Sequence, residues 1–156
     1  RHYEAPDNAD ILLLYNNASP LWLKKSIALA AFCGMRRGEI AALKYKDILR
    51  EQNKIFVHSS LVKGFNAEWI TNVPKQNYVV SASPDIIKLL GNGAPDDYVI
   101  GYNPDIITRN FINLRTQYNL TIGFKELRCY FHSKFKNNKT YEPFLIAKIN
   151  GDFIIG

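Results

Sequence analysis

Cysteine and histidine are scarce in this chain, with two Cys and three His among 156 residues. Two thiols cannot build a zinc site alone, and His2, His58 and His132 show no ligand spacing with Cys33 or Cys129. The sequence therefore predicts no metal centre. Cys33 lies in an apolar run and Cys129 on a predicted helix, the pattern of buried, reduced thiols in a cytoplasmic protein. No apolar run approaches membrane-spanning length, and the first residues do not read as a signal peptide, so a membrane partner is not expected. Acidic side chains are also in deficit: 14 Asp plus Glu face 20 Lys plus Arg, giving +6 and a pI near 9.3. That balance favours a polyanionic partner. Internal repeats and low-complexity tracts are missing as well.

What remains is a globular composition, 47% hydrophobic and 13% aromatic, of a length that fits one domain with its own core. The chain starts at Arg1 rather than Met and ends on Ile154-Ile155-Gly156, and it reads as an excised piece of a longer protein. Asp7 is expected to cap a first helix carrying Ile11, Leu12, Leu14 and Tyr15. Ser19-Pro20 opens a second, with Pro at the first helical position; Ile27, Ala30 and Ala31 follow at helical spacing and Gly34 stops it. Residues 38–45 read as a short third helix.

Residues 54–58, 68–73 and 78–80 are short and rich in β-branched and aromatic residues, which predicts strands separated by turns at 64–66 and 74–77. Helical pattern returns from Ser83-Pro84 to Leu90, from Pro104 to Tyr118, over 125–136 and over 143–150, with a loop at 91–97. The expected fold is mainly α, of the α+β class: a helical domain with one small three-stranded antiparallel sheet.

The basic residues are not scattered. A long apolar helix ends at Gly34, Arg36 and Arg37 follow at once, and Gly38-Glu39-Ile40 opens the next helix. An arginine fixed beside a core is costly unless it meets an anion, so this break suggests a site for a carboxylate or phosphate. A second basic box is Phe124-Lys125-Glu126-Leu127-Arg128-Cys129-Tyr130-Phe131-His132. Lys125, Arg128 and His132 share one helix face, and Leu127, Phe131 and Phe135 mark the buried one. Lys75 stands in the turn between two predicted strands.

An arginine at a helix break, a lysine on a β-hairpin and a basic-x-x-Arg helix, in that order, resemble the tyrosine recombinase (phage integrase) family. Gly34 to Ile40, with the Ala42-Leu43 and Asp47 that follow, is similar to that family's first arginine box. Phe124 to Arg128 resembles its second, normally His-x-x-Arg. The resemblance runs over residues 1–156 as a catalytic domain short of its C-terminal end, and it implies a core-binding domain upstream of Arg1. It implies the DNA breaking-rejoining fold and site-specific recombination, the integration or excision of a phage or mobile element in a bacterial host.

In that chemistry a tyrosine hydroxyl cuts one strand, leaving a 3′-phosphotyrosine and a free 5′-hydroxyl, and another strand's hydroxyl reverses the step. No metal, nucleotide or other small-molecule cofactor is implied, because the covalent intermediate keeps the phosphodiester's energy. The implied partner is double-stranded DNA, held by a homotetramer of the full-length protein. Carried over by position, Arg36 and Arg128 hold the non-bridging oxygens of the scissile phosphate, Lys75 protonates the departing 5′-oxygen, and Lys125 contacts phosphate where the family has histidine.

Lys63 competes with Lys75 for the hairpin role, but Pro74-Lys75-Gln76 follows the second predicted strand, where the family's lysine falls. Glu39 and Asp47 match positions that brace the arginine segment. His58 and His132 read as strand and surface residues, and Tyr130 and Tyr141 as packing residues. Two departures favour an alternative, a degenerate non-catalytic DNA-binding module of the same fold. Lysine, a poor base near neutral pH, stands at 125. Gly151-Asp152 falls where the family has Gly-His or Gly-Trp. The nucleophilic tyrosine would come after Gly156.

Overall fold

A computed structural model describes residues 5–72 and 77–135. Among them are six α-helices: α1 (Asn8–Asn17), α2 (Leu21–Ala31), α3 (Arg37–Ala42), α4 (Pro84–Leu90), α5 (Pro104–Gln117) and α6 (Glu126–Lys134). The strands are β1 (Ile48–Leu49), β2 (Lys54–Val57), β3 (Ser60–Lys63), β4 (Trp69–Asn72) and β5 (Tyr78–Ser81). The predicted helix over 143–150 lies outside the described residues, as do Lys75, Tyr141 and Gly151-Asp152.

Helix α2 is the hub. Ile27, Ala28, Leu29, Ala30 and Ala31 are all at 0% exposure, and α1, α3, α4, α5 and α6 each pack against it. A helical segment apolar on every side, as residues 27–31 are, has to be surrounded, and this one is. Truncating Leu29 to Ala would cost about 2–5 kcal/mol. Helix α5 closes the far side through Ile107 and Phe111, and the Phe111 ring meets Phe124 edge-on at 5.3 Å. Phe124 sits immediately before α6, so the same contact seats the second basic box.

The capping signals in the sequence act as expected at two helices. The Ser83 hydroxyl accepts from the Ile86 N–H at 3.3 Å and the Asn103 side-chain Oδ1 from the Ile106 N–H at 3.0 Å, each followed by Pro in the first turn. Two other starts differ. Asp7 occupies the N-cap position of α1 but its carboxylate makes no capping bond, and Pro20 stands at the N-cap of α2 rather than inside it. Helix α3 is shorter than predicted. It gives way at Leu43 to extended backbone, because the Tyr45 and Lys46 N–H groups are taken by the carbonyls of Asp97 and Pro95 in the loop after α4.

The three-stranded antiparallel sheet is present in the order β1–β2–β5, with Ile55 facing Ile48 on one side and Val80 on the other. Its membership differs from the sequence reading. The predicted strand at 68–73 leaves this sheet and forms β4 of a separate two-stranded ribbon with β3, Lys63 opposite Trp69 and Ser60 opposite Asn72. The ribbon lies on α3, where a Cβ on Gly38 would stand 2.4 Å from the Ser60 hydroxyl and 2.9 Å from the Leu61 carbonyl oxygen. Only glycine allows this approach without movement.

Candidate functional site

The end of α2 is built to present Arg36. Gly34 adopts the left-handed conformation, φ +72°, which residues with a side chain rarely enter. The Gly34 and Met35 N–H groups close onto the carbonyls of Ala30 and Leu29, at 3.1 and 3.0 Å. The chain leaves α2 sharply, and Arg36 becomes the residue before α3. There its N–H donates to the Glu39 carboxylate at 2.9 Å, and the same Oε1 accepts the Tyr78 hydroxyl at 2.7 Å. Glu39 is only 3% exposed, whereas the Arg36 side chain is 65% exposed and its guanidinium reaches Glu39 at no less than 3.9 Å. A buried carboxylate grips the backbone of Arg36 and leaves the side chain to the surface.

Arg128 arrives from α6. Its Nε donates to the Gly34 carbonyl at 2.9 Å, across 94 residues of sequence. Its Nη2 meets His132 Nε2 at 3.4 Å; since arginine only donates, that imidazole nitrogen accepts. Arg36, Arg37, Thr108, Lys125 and Arg128 line one cleft of about 670 Å³ between α3, α5 and the start of α6. Three of the four residues singled out in the sequence, Arg36, Lys125 and Arg128, are thus brought together. The fourth, Lys75, lies outside the described residues. A groove of similar volume, about 660 Å³, opens beside Tyr15, Phe32 and Phe131, but its charged lining residue is Asp85, the wrong sign for a polyanion, whereas the first cleft sets four cations against Glu126.

Sequence reasoning named Arg37 and weighed Lys63 only as a rival to Lys75; it missed the layer that joins them through Asp105. Arg37 Nη1 donates to the Thr108 hydroxyl at 2.8 Å, the Pro104 carbonyl at 3.3 Å and Asp105 Oδ1 at 3.4 Å. The other carboxylate oxygen of Asp105 takes Lys63 at 2.7 Å, and Lys63 lies over the Trp69 ring at 5.4 Å. The Lys63 hydrogen bond, followed by the charges of Lys63 and Arg37, outweighs desolvation and holds the Asp105 carboxyl below its ordinary range. The hint in the sequence was the doubled arginine at 36–37.

Asp47 ties the chain after α3 to the end of β2 and, unlike Glu39, makes no bond to the arginine segment it was expected to brace. It is buried, accepts the Lys44 N–H at 3.0 Å and pairs with His58 Nε2 at 2.7 Å, which accounts for His58 as a strand-end structural residue. Tyr130 is buried with its hydroxyl donating to Asn8, away from the cationic cleft, and burial pushes its phenol pKa up. Cys33 is fully buried and its thiol is pushed up to about 12 by desolvation. Among the described residues no group of His, Cys, Asp and Glu could hold a metal ion, and no helix is long and apolar enough to cross a membrane.

No family model and no curated protein sequence matches the chain. Solved structures do. The Tn1549 transposon integrase in complex with transposon right end DNA superposes with a TM-score of 0.73 at 16% identity, over 97% of this chain and 58% of that one. The XerA recombinase gives 0.68 at 17% identity, over 99% and 58%. The lambda integrase catalytic core gives 0.58 at 17% identity, over 99% and 94%. The chain thus spans somewhat over half of the first two proteins and nearly all of the third. Helix order, the small antiparallel sheet and these superpositions together make the fold that of a tyrosine recombinase catalytic domain.

Proposed function

We propose that this chain is the catalytic domain of a tyrosine-type site-specific DNA recombinase, acting in the integration or excision of a phage or mobile element. The observation that carries the reading is the cleft in which Arg36, Lys125 and Arg128 meet, with Gly34 linking the two arginines. Arginine suits the task because it stays ionised and offers a planar fork of donors to phosphate oxygens. Arg36 and Arg128 take the two non-bridging oxygens, and Lys125 adds a further positive charge.

A tyrosine hydroxyl from chain outside the described residues attacks phosphorus and gives up its proton to solvent. The bond to the 5′-oxygen breaks, Lys75 returns a proton to that oxygen, and a 3′-phosphotyrosine and a 5′-hydroxyl result. Charge grows on the equatorial oxygens in the transition state, so donors fixed around them stabilise it more than the ground state. Glu39 and the left-handed Gly34 fix the backbone of Arg36, and the Gly34 carbonyl fixes the Arg128 guanidinium. In the full-length protein, an upstream DNA-binding domain and assembly into a tetramer on paired duplexes complete the enzyme.

Two measurements test this. Binding of a short duplex by the chain should weaken steeply with salt, and Arg36→Ala and Arg128→Ala should each lower the logarithmic slope by about 0.9. Unchanged slopes in both variants would overturn the reading. With the full-length protein and a nicked suicide duplex, a covalent adduct should form and fall at least about a hundredfold in Arg36→Ala. Lys125, standing where an imidazole is expected, favours the second reading, a DNA-binding module that has lost cleavage. That reading predicts the same salt slopes with no adduct.

A further inference from the structure

We propose that Arg37 and Lys63, held in place by Asp105, form a second phosphate-binding position that takes the phosphodiester neighbouring the one held by Arg36 and Arg128. The inference rests on the recombinase reading of the first cleft and extends it.

A second cleft of about 540 Å³ lies between α3, the start of α5 and the β3–β4 ribbon, lined by Arg36, Arg37, Ser60, Lys63, Trp69 and Asp105 among others. It shares Arg36 and Arg37 with the first. The two clefts therefore lie side by side with Arg36 and Arg37 between them, as neighbouring phosphates of one strand would require. The charge in the second cleft favours an anion, with Arg36, Arg37 and Lys63 set against Asp105 alone.

Neither cation is used up by Asp105. All hydrogen bonds of Arg37 to described residues run through Nη1, leaving Nε and Nη2 available to a ligand. Lys63 has three donors and gives one to Asp105. These pairs are surface pairs, with side chains 43%, 53% and 40% exposed for Arg37, Lys63 and Asp105, and pairs so exposed contribute little energy, so both cations can turn to an arriving phosphate at little cost. Until then Asp105 keeps two long cationic side chains, from α3 and from β3, beside one another. The Trp69 ring beneath Lys63 restrains it further. Gly38, by letting the ribbon sit directly on α3, sets how close the two cations come.

The test is the salt dependence of duplex binding by the chain, in wild type, Lys63→Ala, Lys63→Arg and Lys46→Ala. Lys46 is the matched control, an exposed lysine in an ion pair with Asp96 at 2.8 Å that lines neither cleft. Lys63→Ala should lower the logarithmic slope by about 0.9, while Lys63→Arg and Lys46→Ala should keep the wild-type slope. If Lys63→Ala matches Lys46→Ala, the second position does not exist. If Lys63→Arg falls as far as Lys63→Ala, Lys63 acts only through ribbon structure and the proposal is overturned. Failure of the recombinase reading looks different, since then Arg36→Ala and Arg128→Ala leave the slope untouched.

Discussion

Gly38→Ala is the sharpest probe of how the ribbon is seated. The added Cβ would stand 2.4 Å from the Ser60 hydroxyl oxygen and 2.9 Å from the Leu61 carbonyl oxygen, both inside van der Waals contact. The first neighbour can rotate away, but the second is backbone and moves only if the β3–β4 ribbon moves. Overpacking of this kind costs about 1–3 kcal/mol. Replacing a helical glycine by alanine returns at most about 1 kcal/mol. The net expectation is a loss of about 1–2 kcal/mol. With a urea m-value of about 1–3 kcal/mol/M, the midpoint should fall by roughly 0.3–2 M. Adding Ser60→Ala removes the closer clash and should recover part of the loss, not all, because the Leu61 carbonyl remains. A Gly38→Ala midpoint equal to or above wild type would refute the close-approach argument.

Tyr78→Phe removes a hydroxyl that donates to buried Glu39, and should cost about 1.5–3 kcal/mol in urea unfolding, as a hydrogen bond to a charged group does. A loss under about 0.5 kcal/mol would mean Glu39 does not depend on that donor. Asp105 supplies a pH signature. Its folded pKa lies below the ordinary carboxylate value, chiefly through Lys63, so its contribution is present above that ordinary value and vanishes as pH falls through the lowered one. The stability difference between wild type and Asp105→Asn should shrink in acid and in high salt; a difference that grows in acid would contradict the sign. Cys33, buried with its thiol pushed up to about 12, should stay unreactive toward a chromogenic disulfide reagent until urea unfolds the chain. Cys129, partly exposed, should react in the native state, and the reverse order would show the α2 end to be open.

Much of the helical frame was legible because its punctuation is local. Ser83-Pro84 and Asn103-Pro104 carry cap and first-turn residue side by side, and the structure starts helices there. The sheet was less legible, because pairing partners are chosen by tertiary contact. Ser60–Lys63 has too little apolar alternation to announce a strand, and the two-residue β1 exists only because β2 lies beside it. The ribbon was drawn away from the sheet by its seat on α3, which no residue within 68–73 encodes. The two basic boxes could be read singly. Their meeting depended on α2 and α6 packing together, and the Lys63–Asp105–Arg37 chain depended on three elements that share no local pattern.

Gly34 carries a consequence of its own. Through the peptide chain it governs where Arg36 leaves α2, and through its carbonyl it tethers Arg128. One residue therefore acts as the common ruler for two guanidinium groups that are remote in sequence. Breathing of the outer helices would carry the Arg36 backbone and the tethered Arg128 Nε along together.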